Sequence, residues 1–130
     1  MRKGFTLVEL IIVVIVVGIL ATIAVPQYLR ATERAKGGKA RSALALISGA
    51  ENQYRAELDT YVNCNNAALG ITLGGYVEMN AIAADPDWDY AVTGASTTNF
   101  TVTATRVGGS NAGETITLTQ AGVWAGTFVP

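Results

Sequence analysis

The chain has no histidine, one cysteine and three prolines in 130 residues, and charged side chains make up only 15% of it. Without histidine it lacks the side chain best suited to proton transfer near neutral pH. Cys64, in Asn63-Cys64-Asn65-Asn66, has no second cysteine, so no intramolecular disulfide is available, although an exported domain would sit where one could form. It reads as a buried small hydrophobe. No glycine-rich phosphate loop is present, and no nucleophile stands beside a base. An enzyme is therefore not expected, nor a bound cofactor.

What is present is a long apolar run. Residues 5 to 25 carry one charge, Glu9, and two threonines. A helix of that length spans about 32 Å, enough for a hydrocarbon core of roughly 30 Å. A removable secretory signal would have a shorter apolar region and a small-x-small site at its far end. Here the far end reads Thr22-Ile23-Ala24-Val25-Pro26, so the expected cut precedes the span. Lys3-Gly4-Phe5 has the layout of a processing site, and a cut after Gly4 would create an amine at Phe5, on the helical face of Glu9. An acid in hydrocarbon costs about 3 kcal/mol on insertion scales and is read as functional by default. A snorkelling interfacial carboxylate is the bland alternative.

Gly4, Phe5, Thr6, Leu7 and Glu9, with Gly18 and Pro26 further on, closely resemble the class III leader and N-terminal signature of type IV pilins and of their relatives, the pseudopilins of type II secretion. The resemblance covers roughly the first 50 to 60 residues as a helical stem. It implies cleavage between Gly4 and Phe5 by a prepilin peptidase in the inner membrane, N-methylation of Phe5, and assembly of many copies into a filament through Phe5 and Glu9. It also implies an amino terminus facing the cytoplasm, against the count of basic residues: Arg2 and Lys3 precede the span and five cations follow it. In the family the stretch matching Gly18 to Pro26 loosens on entering the filament. Both residues are poor helix formers, as is the pair Gly37-Gly38. Many type IV pilins close a C-terminal loop with a disulfide. This chain departs from that pattern, which suits a short-headed pilin or a pseudopilin.

Charge is segmented: residues 1–25 carry net +1, residues 26–41 net +4 and the rest net −6. In a stack of copies, a basic stem and an acidic head attract; the bland reading is a solvated surface. Ala40, Ala43, Leu44, Ile47, Ala50, Tyr54, Leu58 and Tyr61 recur at helical steps and form one apolar stripe. Further on, Trp88, Tyr90 and Val92, then Phe100, Val102 and Ala104, then Ile116 and Leu118 alternate with polar residues or alanine, as strands with one apolar face do. Ala95 to Asn99 and Gly108 to Gly113 are turn-rich links. Val123-Trp124 suits a short last strand. The fold expected is α+β, a long N-terminal helix packed on a small antiparallel sheet in a pilin-like lollipop. Its segments are a leader at 1–4, a membrane or filament-core helix at 5–25, an amphipathic helix at 26–61 and a head at 62–130, with 62–87 an aperiodic loop holding at most a short helical turn.

Asp85-Pro86-Asp87-Trp88-Asp89 is the one candidate for a cation, three alternating carboxylates of the kind calcium takes. It lacks the glycine turn and distal glutamate of a helix-loop-helix site, and an Asp-Pro turn opening the first strand is the favoured reading. Phe5, Tyr28, Tyr54 and Tyr61 form a sparse aromatic series, read as packing rather than as an electron path. Asn99-Phe100-Thr101 fits a glycosylation acceptor pattern but falls where a strand is expected. The reading is a structural subunit of a type IV pilus. Its partners would be further copies of itself, the inner membrane, the peptidase and methyltransferase, and the assembly machinery, without a specific nucleic acid. It would be a membrane precursor first and a surface filament later. The alternatives are a secretion pseudopilin and a membrane-anchored binding head that never polymerises.

Overall fold

The computed structural model describes residues 4–130; most of the expected leader, including Arg2 and Lys3, lies outside the described residues. The chain divides into two compact units, Met1–Arg34 and Ala35–Pro130, and helix α1, Leu7–Leu58, contributes to both.

In the first unit α1 is almost continuously apolar, and its large side chains from Leu7 to Leu29 are exposed. The most apolar window of the helix has a mean hydropathy of 3.0 with none of it buried. The helix runs without a break through Gly18 and Pro26. Thr22 Oγ1 donates to the Ile19 carbonyl at 2.6 Å and Thr32 Oγ1 to the Tyr28 carbonyl at 2.9 Å, which is how hydroxyls are satisfied in an apolar helix.

The second unit builds a core on the outer half of α1, where Gly37, Ala40, Ala43, Leu44, Ile47, Ala50 and Glu51 are buried. Gly37 has a packing reason: a Cβ there would lie 2.6 Å from the Phe128 ring. The helix stops at Leu58, short of the expected 61, because Asp59 turns into the left-handed region (φ 58°) and its amide closes on the Arg55 carbonyl at 2.8 Å. Leu58, expected in the core, is 55% exposed as a result, since the buried face of the helix ends at the half-buried Tyr54. The turn redirects the chain so that Tyr61 is buried and its amide reaches the Ser96 carbonyl at 3.0 Å.

The stretch expected as a loop contains two short helices, α2 (Asn66–Thr72) and α3 (Asn80–Ala83). Asn65 caps α2, its side chain accepting from the Ala68 amide at 3.0 Å. Four strands follow as an antiparallel meander in the order β1-β2-β3-β4: β1 Trp88–Thr93, β2 Thr101–Arg106, β3 Thr115–Thr119 and β4 Trp124–Gly126. The second strand lies one residue later than expected, with buried Phe100 immediately before it. The pairing sets Tyr90, Ala104 and Ile116 in one row and Val92, Val102 and Leu118 in the next, all buried. The opposite face carries Thr103 against Thr117 and Thr101 against Thr119, polar β-branched pairs suited to a wetted sheet surface. Beyond β1, Cys64 and Val92 exchange backbone hydrogen bonds of 3.2 and 2.7 Å as an isolated antiparallel bridge, which covers that edge of the sheet.

Candidate functional site

The first turn of α1 is organised by Thr6 and Glu9. The Glu9 carboxylate accepts from the Thr6 amide at 3.0 Å and from the Thr6 hydroxyl at 2.8 Å, while the Thr6 Oγ1 accepts from the Glu9 amide at 3.2 Å. The Leu10 amide closes on the Thr6 carbonyl at 3.3 Å. This is a capping box, Thr-x-x-Glu, in which each side chain satisfies the other's orphan backbone donor. It gives Glu9 a role within one chain that its reading as an isolated intramembrane acid had missed. The signal was the spacing of Thr6 and Glu9 itself. Gly4 and Phe5 lie before the first helical residue and are exposed, so the bond between them is outside the hydrogen-bonded helix. Gly18 and Pro26 follow in the same helix.

The acidic run of the head is held differently. Asp85 is buried, and its carboxylate meets Lys39 Nζ at 3.0 Å, the Tyr90 hydroxyl at 3.1 Å and the Asp87 amide at 3.0 Å. Asp87 meets Lys36 Nζ at 3.0 Å and Arg106 Nη1 at 3.2 Å. The Lys36 hydrogen bond, followed by the surrounding cations, holds the Asp87 carboxyl below its usual value. Burial, then Asp85, push the Tyr90 hydroxyl upward. Asp89 points to the exposed face of β1. The structure therefore brings Asp85 and Asp87 to the lysines of α1 and leaves Asp89 apart, and no group of three or more His, Cys, Asp or Glu side chains gathers as a metal shell among the described residues. Calcium would have to displace two ammonium groups. Adding calcium and then a chelator to the full chain in detergent is accordingly expected to leave its melting temperature in place; a chelator-sensitive rise would mean the aspartates hold an ion after all.

The aromatic series divides in the same way. Phe5 and Tyr28 are exposed on the first unit. Tyr54 stacks edge-on against Tyr76 with ring centroids 6.0 Å apart, and Tyr61 packs on Phe100 at 4.6 Å; these two serve the head's core.

Fold and site together define a class: a membrane-length apolar helix opened by a Thr-x-x-Glu cap and continuing into the core of a small α+β head. The family model for the prokaryotic N-terminal methylation motif matches residues 1–25. The chain is 38% identical over 95 residues to the type IV major fimbrial protein FimA of Dichelobacter nodosus, covering 66% of this chain and 58% of that protein. It is 39% identical over 65 residues to the type IV major pilin protein PilA of Myxococcus xanthus, covering 50% of this chain and 30% of that one. Over 76 residues it is 41% identical to a type IV major pilin protein PilE1 of Neisseria gonorrhoeae, covering 55% and 42%. The chain thus spans less than two thirds of the length of these relatives. These findings support the type IV pilin family for this chain.

Proposed function

We propose that the chain is a structural subunit of a type IV pilus, cut after Gly4, methylated on the Phe5 amine, and assembled through its apolar helix with Phe5 and Glu9 meeting across copies. The observation that carries this reading is the capped, exposed apolar helix lying inside the matched methylation motif. An apolar surface of this length is stable only in hydrocarbon or against other apolar helices. In lipid, the precursor is held in the inner membrane within reach of the peptidase. In the fibre, copies of the same helix replace the lipid, and the exposed heads form the cell-surface filament. Gly18 and Pro26 are the weak points at which the helix can open as it is drawn in. The chain has no catalytic work to do in this role, and its other partners are the methyltransferase and the pilus machinery. The relatives described above are named as major pilins or fimbrial proteins, which favours the pilus over a secretion pseudopilus or an unassembled anchored head.

Intact-mass spectrometry of sheared fibres tests this directly. The expected subunit begins at Phe5 and carries one methyl group. A subunit that keeps Met1 to Gly4 would overturn the reading.

A further inference from the structure

Glu51 is a carboxylate in the wrong place. It lies on the core-facing stripe of α1 among Leu44, Ile47 and Ala50 and is wholly buried. One oxygen, Oε2, accepts from the Val62 amide at 3.0 Å. The other, Oε1, is buried with no hydrogen-bond partner. No lysine or arginine pairs with it among the described residues: Arg55, one turn on, gives its guanidinium to the Tyr61 ring and hydroxyl, and Tyr61 donates that hydroxyl to Asn52 instead. From the segment packed over it, the titratable group set against Glu51 is the Cys64 thiol, which burial pushes up to about 11.

Two costs compete here. A neutral carboxyl leaves one hydroxyl without an acceptor, the smaller cost. An ionised one leaves a full charge in the core with one amide to support it, the larger cost. The balance moves toward the neutral form relative to water: burial raises the Glu51 carboxyl above its ordinary value, with the Val62 hydrogen bond opposing.

What Glu51 holds is the segment that covers the sheet's β1 edge. Val62 sits between Tyr61, bonded to Ser96, and Cys64, bridged to Val92 in both directions. We propose that Glu51 is a proton-held clasp: uncharged, it pins residues 61–64 against β1, and on ionising it pulls out of the core, releasing that segment and uncovering the strand edge.

The sign follows from linkage. A carboxyl raised on folding stabilises the folded state fully below the ordinary glutamate range, and that stabilisation is lost as pH rises through the raised value. Asp87 acts in the opposite direction, losing its contribution only as pH falls below the ordinary aspartate range. Cys64, also raised, acts in the same direction as Glu51 but only once pH nears the ordinary thiol range, so between about pH 5 and about pH 7 the Glu51 contribution is read apart from both.

The full chain in detergent micelles is expected to melt several degrees lower at the alkaline end of that window, with protection of the Val62, Cys64 and Val92 amides falling first. Glu51→Gln keeps an acceptor for Val62 and cannot ionise, so its melting temperature should be level across the window and should exceed that of the unaltered chain at the alkaline end. A level profile in the unaltered chain would overturn the clasp, whether or not the variant folds. So would an equal slope in Glu51→Gln, which would assign the titration to another group.

Discussion

Glu9→Ala is expected to abolish fibres, or nearly so, while the precursor is still made, inserted and cut and its head melts unchanged. In a single chain the substitution removes one half of the capping box with Thr6, a loss of about 0.5–2 kcal/mol at the end of a long helix. The head's core lies in the other compact unit and does not use the cap. In hydrocarbon the unpaired carboxylate costs about 3 kcal/mol, and a neighbour's Phe5 amine at contact distance would offset that with several kcal/mol of attraction before desolvation is subtracted. The proposed pair would form only between copies, so the variant separates assembly from folding. Glu9→Asp keeps the charge on a shorter arm and should give an intermediate yield. Electron microscopy and quantitation of sheared fibres measure both variants. Normal fibre yield from Glu9→Ala would leave the carboxylate as a helix cap and nothing more.

Phe100→Ala carries the other large effect, on stability. Phe100 is buried immediately before β2, packs on the Tyr61 ring at 4.6 Å, and accepts at its carbonyl from the Gln120 amide at 3.0 Å. The backbone contact survives the substitution and the ring contact does not. Truncating a buried phenylalanine costs about 3–5 kcal/mol, and each kcal/mol moves the midpoint of a domain this small by roughly 4–8 °C, so a drop on the order of 20 °C is expected. Thermal melting of the full chain in detergent, followed in the near-ultraviolet, reads it. A shift of only a degree or two would show that the ring contributes little to the core.

Elements with a long period were legible in the sequence. The stripe from Ala40 to Ala50 and the alternation at Trp88-Tyr90-Val92 and Ile116-Leu118 each repeat often enough to fix a face, and these residues are buried. The short helices α2 and α3, of seven and four residues, complete at most two turns, too few to show a helical period. The role of the aspartates could not be read locally. Lys36 and Lys39 meet Asp87 and Asp85 from about fifty residues away, and a carboxylate run looks the same whether it waits for calcium or for lysine. Gly37 is similar: read alone it is a weak helix former, and only Phe128 explains it. Glu51 had the most visible clue, an acid one residue past Ala50 on an apolar stripe, but its burial depends on Val62 returning over it after the turn at Asp59. At the amino terminus the Thr6-x-x-Glu9 spacing was complete in the sequence; the apolar run around it drew attention to the charge and away from the cap.

The contact between Gly37 and Phe128 also sets an order of events. It joins positions about ninety residues apart in the chain, and Phe128 also stacks on Trp88 with ring centroids 5.0 Å apart. A core that waits for so distant a piece closes late: the helix and the first strands are made with their apolar faces open, and the head seals only when the segment after β4 that carries Phe128 arrives.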